Sequence, residues 1–113
     1  MISNLSQMPY KMKGMNPSSA MNYLLGNYSG PTENVPEPNK YYTFIYRAKT
    51  PNIQYDAHPL ILCGGVFPWG FTGYNIHWEE SRRYTWAECA SPLFEISEAE
   101  MEIVSQLPIA KYV

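Results

Sequence analysis

Leu60-Ile61-Leu62-Cys63-Gly64-Gly65-Val66-Phe67-Pro68-Trp69-Gly70-Phe71-Thr72-Gly73-Tyr74-Asn75-Ile76-His77-Trp78 is the stretch that decides the fold class. Leu60–Cys63 is continuously apolar and of strand length, and Val66-Phe67 resumes the strand beyond a glycine pair suited to a bulge or kink. Pro68-Trp69-Gly70 is a turn signal. Phe71 to Trp78 then alternates as a second strand. Within it Gly73 marks a close backbone approach, and Gly70 a backbone geometry that a side chain would obstruct. Phe71 and Trp78 are the candidate buried aromatics of this hairpin, and all four residues are assigned structural tasks.

Reading outward, Tyr41-Tyr42-Thr43-Phe44-Ile45-Tyr46-Arg47 is rich in aromatic and β-branched residues and predicts a strand. Thr50-Pro51-Asn52 predicts a turn. Tyr55-Asp56-Ala57-His58-Pro59 predicts an extended or turned approach, because Pro59 pushes His58 out of the helical region. Downstream, Thr85-Trp86-Ala87-Glu88 has capping-box spacing, and Ser97-Glu98-Ala99-Glu100 is a cleaner box. Met101, Val104 and Leu107 follow at helical spacing until Pro108, and residues 109–113 can supply a terminal strand. Short strands joined by tight turns predict an α+β, mainly β domain over residues 41–113: a small, SH3-like, partly open barrel with one C-terminal helix.

Residues 1–40 differ in composition. They hold five Pro, three Gly, five Ser and six Asn, and five of the six Met, whereas fourteen of the seventeen aromatics follow residue 40. The segment reads as an extended N-terminal arm. Its one helical stretch, Ala20 to Leu25, has Ser18 or Ser19 as cap and Gly26 as stop, and is too short to persist alone in water. Apolar side chains along it, among them Tyr10, Met15, Tyr23, Leu24 and Leu25, supply anchors that a pure linker does not need, so the arm is expected to order on a neighbouring subunit.

The chain has 113 residues and a formal charge of −2, with 45% hydrophobic, 15% aromatic and only 16% charged residues. That is one domain's worth of chain, without the basic field that general nucleic-acid binding needs. No apolar run approaches the length that spans a bilayer, and the N-terminus has no signal-like apolar core. Two cysteines make neither a disulfide framework nor a zinc site.

Asp56, His58, His77, Glu79 and Glu80 are the polar constellation most suited to metal or acid–base chemistry, but their spacing matches no ligand motif. Structural tasks fit them better. Asp56 can bond a turn backbone, and Trp78 can bury apolar surface while its indole finds one partner. No nucleophile elbow or phosphate loop is present, so the sequence points to no enzyme and no cofactor. Arg82-Arg83-Tyr84 is the strongest basic feature. With Arg47 and Lys49 it suits a nucleic-acid backbone, but Glu79 and Glu80 offset it, which favours either a solvated Glu–Arg strip or a docking contact to a protein partner through Arg82 and Arg83.

Lys49-Thr50-Pro51, Tyr55-Asp56, His58-Pro59-Leu60-Ile61-Leu62 and Gly70-Phe71-Thr72-Gly73-Tyr74-Asn75-Ile76-His77-Trp78, in that order, resemble small virion proteins of T-even-like myophages of the cyanophage type. The similarity runs from about Tyr23 to Val113, including Arg83 to Glu88. It implies a structural virion protein at the baseplate, tail, neck or capsid, present in host cytoplasm during assembly and partnered by other phage structural proteins. It implies no catalytic residue. The bottom-up alternative is a DNA-binding packaging or DNA-end factor built on a small barrel.

Overall fold

Pro68 and Trp69 turn the chain between two paired strands, β3 (Leu60–Phe67) and β4 (Gly70–Asn75). Phe67 faces Gly70 and Val66 faces Phe71. The register then shifts between Cys63 and Val66, where Gly64 and Gly65 form the irregularity, and resumes from Cys63↔Gly73 to Ile61↔Asn75. A Cβ on Gly73 would lie 2.5 Å from Ile61 Cδ1, and one on Gly70 would overlap the Tyr84 carbonyl. Both positions therefore need glycine for close approach.

The computed structural model describes residues 8–28, 30–50 and 53–113; Pro51 and Asn52 of the expected turn lie outside them. The remaining elements are α1 (Met8–Lys11), α2 (Pro17–Asn27), β1 (Thr32–Glu33), β2 (Tyr41–Thr43), β5 (Glu80–Thr85), β6 (Leu93–Ile96) and α3 (Met101–Ser105), with 3-10 turns at Trp86–Glu88 and Glu98–Glu100. The six strands form one antiparallel sheet in the order β1-β6-β2-β3-β4-β5. The architecture is α+β and mainly β. The sheet does not close, and β1 and β5 are its edges.

The sheet has an apolar cluster on each face. On one, Tyr42, Phe44, Tyr46, Ile61, Cys63, Phe71, Tyr84 and Leu93 are buried together. Phe44 and Tyr46 each meet Tyr84 edge to face, at 5.4 and 5.0 Å between ring centroids. The strand expected over residues 41–47 leaves β6 after Thr43. Tyr46 then bridges Cys89, and Arg47 N–H donates to Glu88 O at 2.8 Å, which curls the sheet over its aromatic filling. On the other face, Leu60 and Ile96 pack against Met8, Met12, Ala20, Met21, Leu24, Val104, Leu107 and Ile109.

Residues 8–28 are thus part of the domain and not an arm reaching out from it. Burial is the physical reason: Met12, Ala20, Met21 and Leu24 have no exposed surface, so the methionines and leucines of the segment cover this chain's own sheet. Helix α2 also starts earlier and runs longer than the sequence suggests. Asn16, not Ser18 or Ser19, caps it, accepting from Ser19 N–H at 2.8 Å, and Pro17 takes the first turn, where its missing N–H costs nothing. Gly26 lies inside the helix and does not stop it. A helix of this length is marginal by propensity and is held by its buried face. Tyr28 fixes its end to the sheet by donating to Glu95 O at 2.7 Å. At the C-terminal end, Ser97 N–H donates to Glu100 Oε1 at 3.0 Å, as the capping box requires, but the first turn is 3-10 and α3 itself covers only Met101–Ser105.

Leu24→Ala should cost about 2–5 kcal/mol and Phe71→Ala about 3–5 kcal/mol, since both side chains are fully buried. A chain beginning at Gly30 should lose its cooperative thermal transition. Melting at unchanged midpoint in that truncated chain would show that residues 8–28 are not core.

Candidate functional site

Asp56 is the best-connected polar group, buried to 5% exposure between the sheet and the C-terminal segment. Its Oδ1 accepts from His58 N–H at 3.0 Å and Lys111 N–H at 3.1 Å. Its Oδ2 accepts from Asn75 Nδ2 and from the Trp78 indole Nε1, each at 3.0 Å. Asn75 Oδ1 in turn accepts from Trp78 N–H at 2.9 Å. Four donors occupy this carboxylate, which makes it a structural tie and leaves it unsuited to act as a base. The turn-bonding role read from the sequence is the observed one.

The two imidazoles serve the same segment. His58 Nδ1–H donates to Ile109 O at 2.8 Å, and burial holds this imidazole below its usual pKa of 6.5. His77 Nε2–H donates to Ser105 O at 3.1 Å. Glu80 pairs with Arg82 at 3.4 Å. The constellation of Asp56, His58, His77, Glu79 and Glu80 therefore does not converge. Among the described residues the one trio with ligand spacing is Glu33, Glu37 and Glu95, and it is already engaged. Lys40 Nζ lies 2.7 Å from Glu37 and 3.5 Å from Glu95, and the Tyr42 hydroxyl donates to Glu33 at 3.1 Å. Burial raises both thiols, that of Cys89 to about 11, so neither is a thiolate nucleophile near neutrality.

A cleft of about 320 Å³ runs beside β5, lined on one side by Glu80, Arg82 and Tyr84 and on the other by Tyr46, Ile53 and Tyr55. At its end Glu88 accepts from Lys49 N–H at 2.6 Å, Thr85 Oγ1 at 2.6 Å and the Tyr46 hydroxyl at 2.8 Å. These donors hold its carboxyl below the usual range, and burial with Glu88 close by pushes Tyr46 up to about 12. The Thr85–Glu88 spacing thus joins two side chains and a distant backbone N–H, where the sequence suggested a helix cap. Arg82 reaches across the cleft and donates to Gln54 O.

The third feature is the tip of the β3–β4 hairpin. Phe67 and Trp69 are 43% and 42% exposed, yet their rings stack 5.2 Å apart and 3° from parallel. The Arg83 guanidinium lies 5.9 Å from the Trp69 ring centroid, and Trp86 Nε1–H donates to Pro68 O at 2.9 Å, bracing the turn. The Phe67 and Trp69 rings form an exposed apolar pair of the kind that marks an interaction surface. Sequence reasoning passed over Phe67 and Trp69 although a signal was present: a Trp inside a Pro-x-Gly turn lies on the surface, because tight connections run there.

The expected anchors scatter. Leu24 is in the core, Met15, Tyr23 and Leu25 pack partly against it, and Tyr10 stands 84% exposed on α1. Arg82 reaches across the cleft to the Gln54 carbonyl, while the Arg83 side chain, on the alternate face of β5, lies over Trp69. Trp78 is not the buried anchor expected. It is 43% exposed, because β4 ends at Asn75 and the turn after it leaves one face of the indole in solvent, with Tyr112 at 4.5 Å on the other. Compared with protein-family models, curated proteins and solved structures, the chain has no match.

Asp56→Ala would strand four donors and should cost about 3–5 kcal/mol, enough to unfold a small domain in denaturant titration. For His58, the unfolded imidazole takes a proton near pH 6.5 and the buried one only at lower pH. The unfolded chain binds more protons in that window, so this contribution is complete above 6.5 and declines as pH falls below it. Melting midpoints measured from about pH 7 to about pH 5.5 should fall less steeply in His58→Gln than in the native chain. Equal slopes would show that the imidazole is not held neutral.

Proposed function

We propose that this chain is a structural virion protein of a tailed phage, an assembly adaptor that meets neighbouring virion proteins through the tip of its β3–β4 hairpin. The observation that carries the reading is the stacked, solvent-facing Phe67–Trp69 pair with Arg83 beside it. Trp, Phe and Arg are the side chains over-represented in buried interface centres, and a rigid aromatic pair loses little entropy on docking. The sequence resemblance to small myophage virion proteins, from about Tyr23 to Val113, supplies the kind of partner. Docking by an N-terminal arm gives way to docking by the tip, because residues 8–28 cover their own sheet; Tyr10 remains available on the surface. In this reading the sheet from β2 to β5, curled where Tyr46 bridges Cys89, serves as the small, partly open, SH3-like barrel.

One observation favours the DNA-binding alternative: Arg83 over Trp69 is also an arrangement on which a base can stack. Against it, Glu80 takes up the charge of Arg82 and the chain as a whole is acidic.

The doubly substituted Phe67→Ser, Trp69→Ser chain should melt within about 1 kcal/mol of the native protein, because both rings are exposed. In a complementation assay it should be depleted from purified phage particles by about tenfold or more, the effect of losing one or two interface anchors. A folded double variant that enters particles at native levels would overturn the adaptor reading. Salt-sensitive binding of DNA fragments that disappears in the same variant would replace it with the DNA-binding one.

A further inference from the structure

Strand β5 ends the sheet on one side, and it is a long edge: six residues, against the two of β1 at the other side. Its inner side pairs with β4 along the whole length, from Gly70↔Thr85 to Asn75↔Glu80. On its outer side, no main-chain group of Glu80 to Tyr84 bonds another main-chain group among the described residues. The cleft of about 320 Å³ lies along this same edge, so space is present beside main-chain groups that have no main-chain partner among the described residues. An unpaired row of N–H and C=O groups is a template for an extended backbone.

We propose that the open edge of β5 is a peptide-docking site, taking an extended segment of another protein as a further antiparallel strand with apolar side chains toward the cleft and an acidic side chain toward Arg83. The inference rests on the protein-docking reading and deepens it by naming what docks. Side chains of a strand alternate between faces. Glu80, Arg82 and Tyr84 lie on the face of the aromatic cluster, where an incoming strand meets Ile53 and Tyr55 across the cleft and finds apolar surface. On the opposite face Arg83 is exposed, with the Trp69 ring beside it and no carboxylate partner among the described residues. Arg82, by contrast, already has Glu80 and the Gln54 carbonyl. Of the two adjacent arginines, Arg83 is therefore the one with no carboxylate partner among the described residues, and it selects an acidic residue in the partner strand. A second copy of this chain is disfavoured as the occupant of the full edge: antiparallel pairing of β5 with itself about its centre sets arginine against arginine, and like charges directly opposite destabilise a strand pair. The aromatic tip borders the Thr85 end of the edge through the Gly70↔Thr85 pair, so one partner can engage both.

The test uses the full-length protein and labelled peptides of about six residues, the usual strand length. One alternates Val and Glu, one alternates Val and Lys, and one is the Val/Glu peptide N-methylated along its backbone. Fluorescence anisotropy should show saturable binding of the Val/Glu peptide, and amides within residues 80–84 should become protected from hydrogen exchange. N-methylation and the Lys peptide should each weaken binding by about tenfold or more, and Arg83→Glu should reverse the preference between Glu and Lys peptides. No binding of the Val/Glu peptide, equal binding after N-methylation, or protection away from β5 would overturn the proposal. The particle experiment with Phe67 and Trp69 leaves β5 untouched. Its failure alone removes the virion reading, and failure of the peptide experiment alone removes the edge site.

Discussion

The Asp56 carboxylate is the point at which the parts of this structure are tied together. It receives donors from the segment before β3, from the end of β4, from the turn after β4 and from the C-terminal segment at Lys111. Through Lys111 and the neighbouring Ile109, the last of these is continuous with the helical layer: Ile109 is buried among Met21, Leu24 and Val104, and Lys111 Nζ donates to Ser18 Oγ on α2 at 2.9 Å. Satisfied in this way, a buried carboxylate specifies one arrangement of four chain segments. Left half-satisfied, it would cost more than an apolar residue in its place.

Two thin cores on opposite faces of one sheet explain why such a tie matters. The aromatic cluster around Tyr84 and the methionine-rich cluster around Met21 are separated by the sheet itself, and neither is large. Small domains bury a low fraction of their surface and gain little from either layer alone. Shared strands couple the layers: Leu60 belongs to one cluster and Ile61 to the other. The helices cover the face near Leu60 and Ile96 but leave Tyr74, Ser81 and Arg83 of β4 and β5 exposed. Covered at one end and bare at the other, the sheet keeps both its structural and its docking surface on the same short strands.

Local pattern made much of the fold legible. The glycine pair placed the bulge, Pro68-Trp69-Gly70 placed the turn, and the apolar run at Leu60 placed the central strand, because each rests on backbone restrictions of the residues concerned. The arm was misread for a nonlocal reason. Pro, Gly and Asn in residues 1–40 disfavour regular structure over the whole segment, yet a few buried side chains, Met8, Met12, Met21 and Leu24, were enough to hold α1 and α2 on the sheet. Trp78 was misread because hydrophobic size suggests burial, while its position in the turn after β4 leaves the ring half-exposed even though its indole N–H reaches the buried Asp56. At the candidate site, Arg82 and Arg83 are legible as adjacent cations, but the structure is needed to place them on opposite faces and to pair only Arg82 with a carboxylate among the described residues.

Native-state hydrogen exchange across the intact chain tests most directly the claim that the helical layer and the aromatic sheet form one cooperative unit tied at Asp56. Buried amides of α2, at Met21 and Leu24, should open with the same free energy as those of Ile61 and Phe71 in the sheet, and all should change together with denaturant. If the α2 amides exchange through a separate opening several kcal/mol less costly than that of the sheet, residues 8–28 are a detachable appendage and the account of a single tied core is wrong.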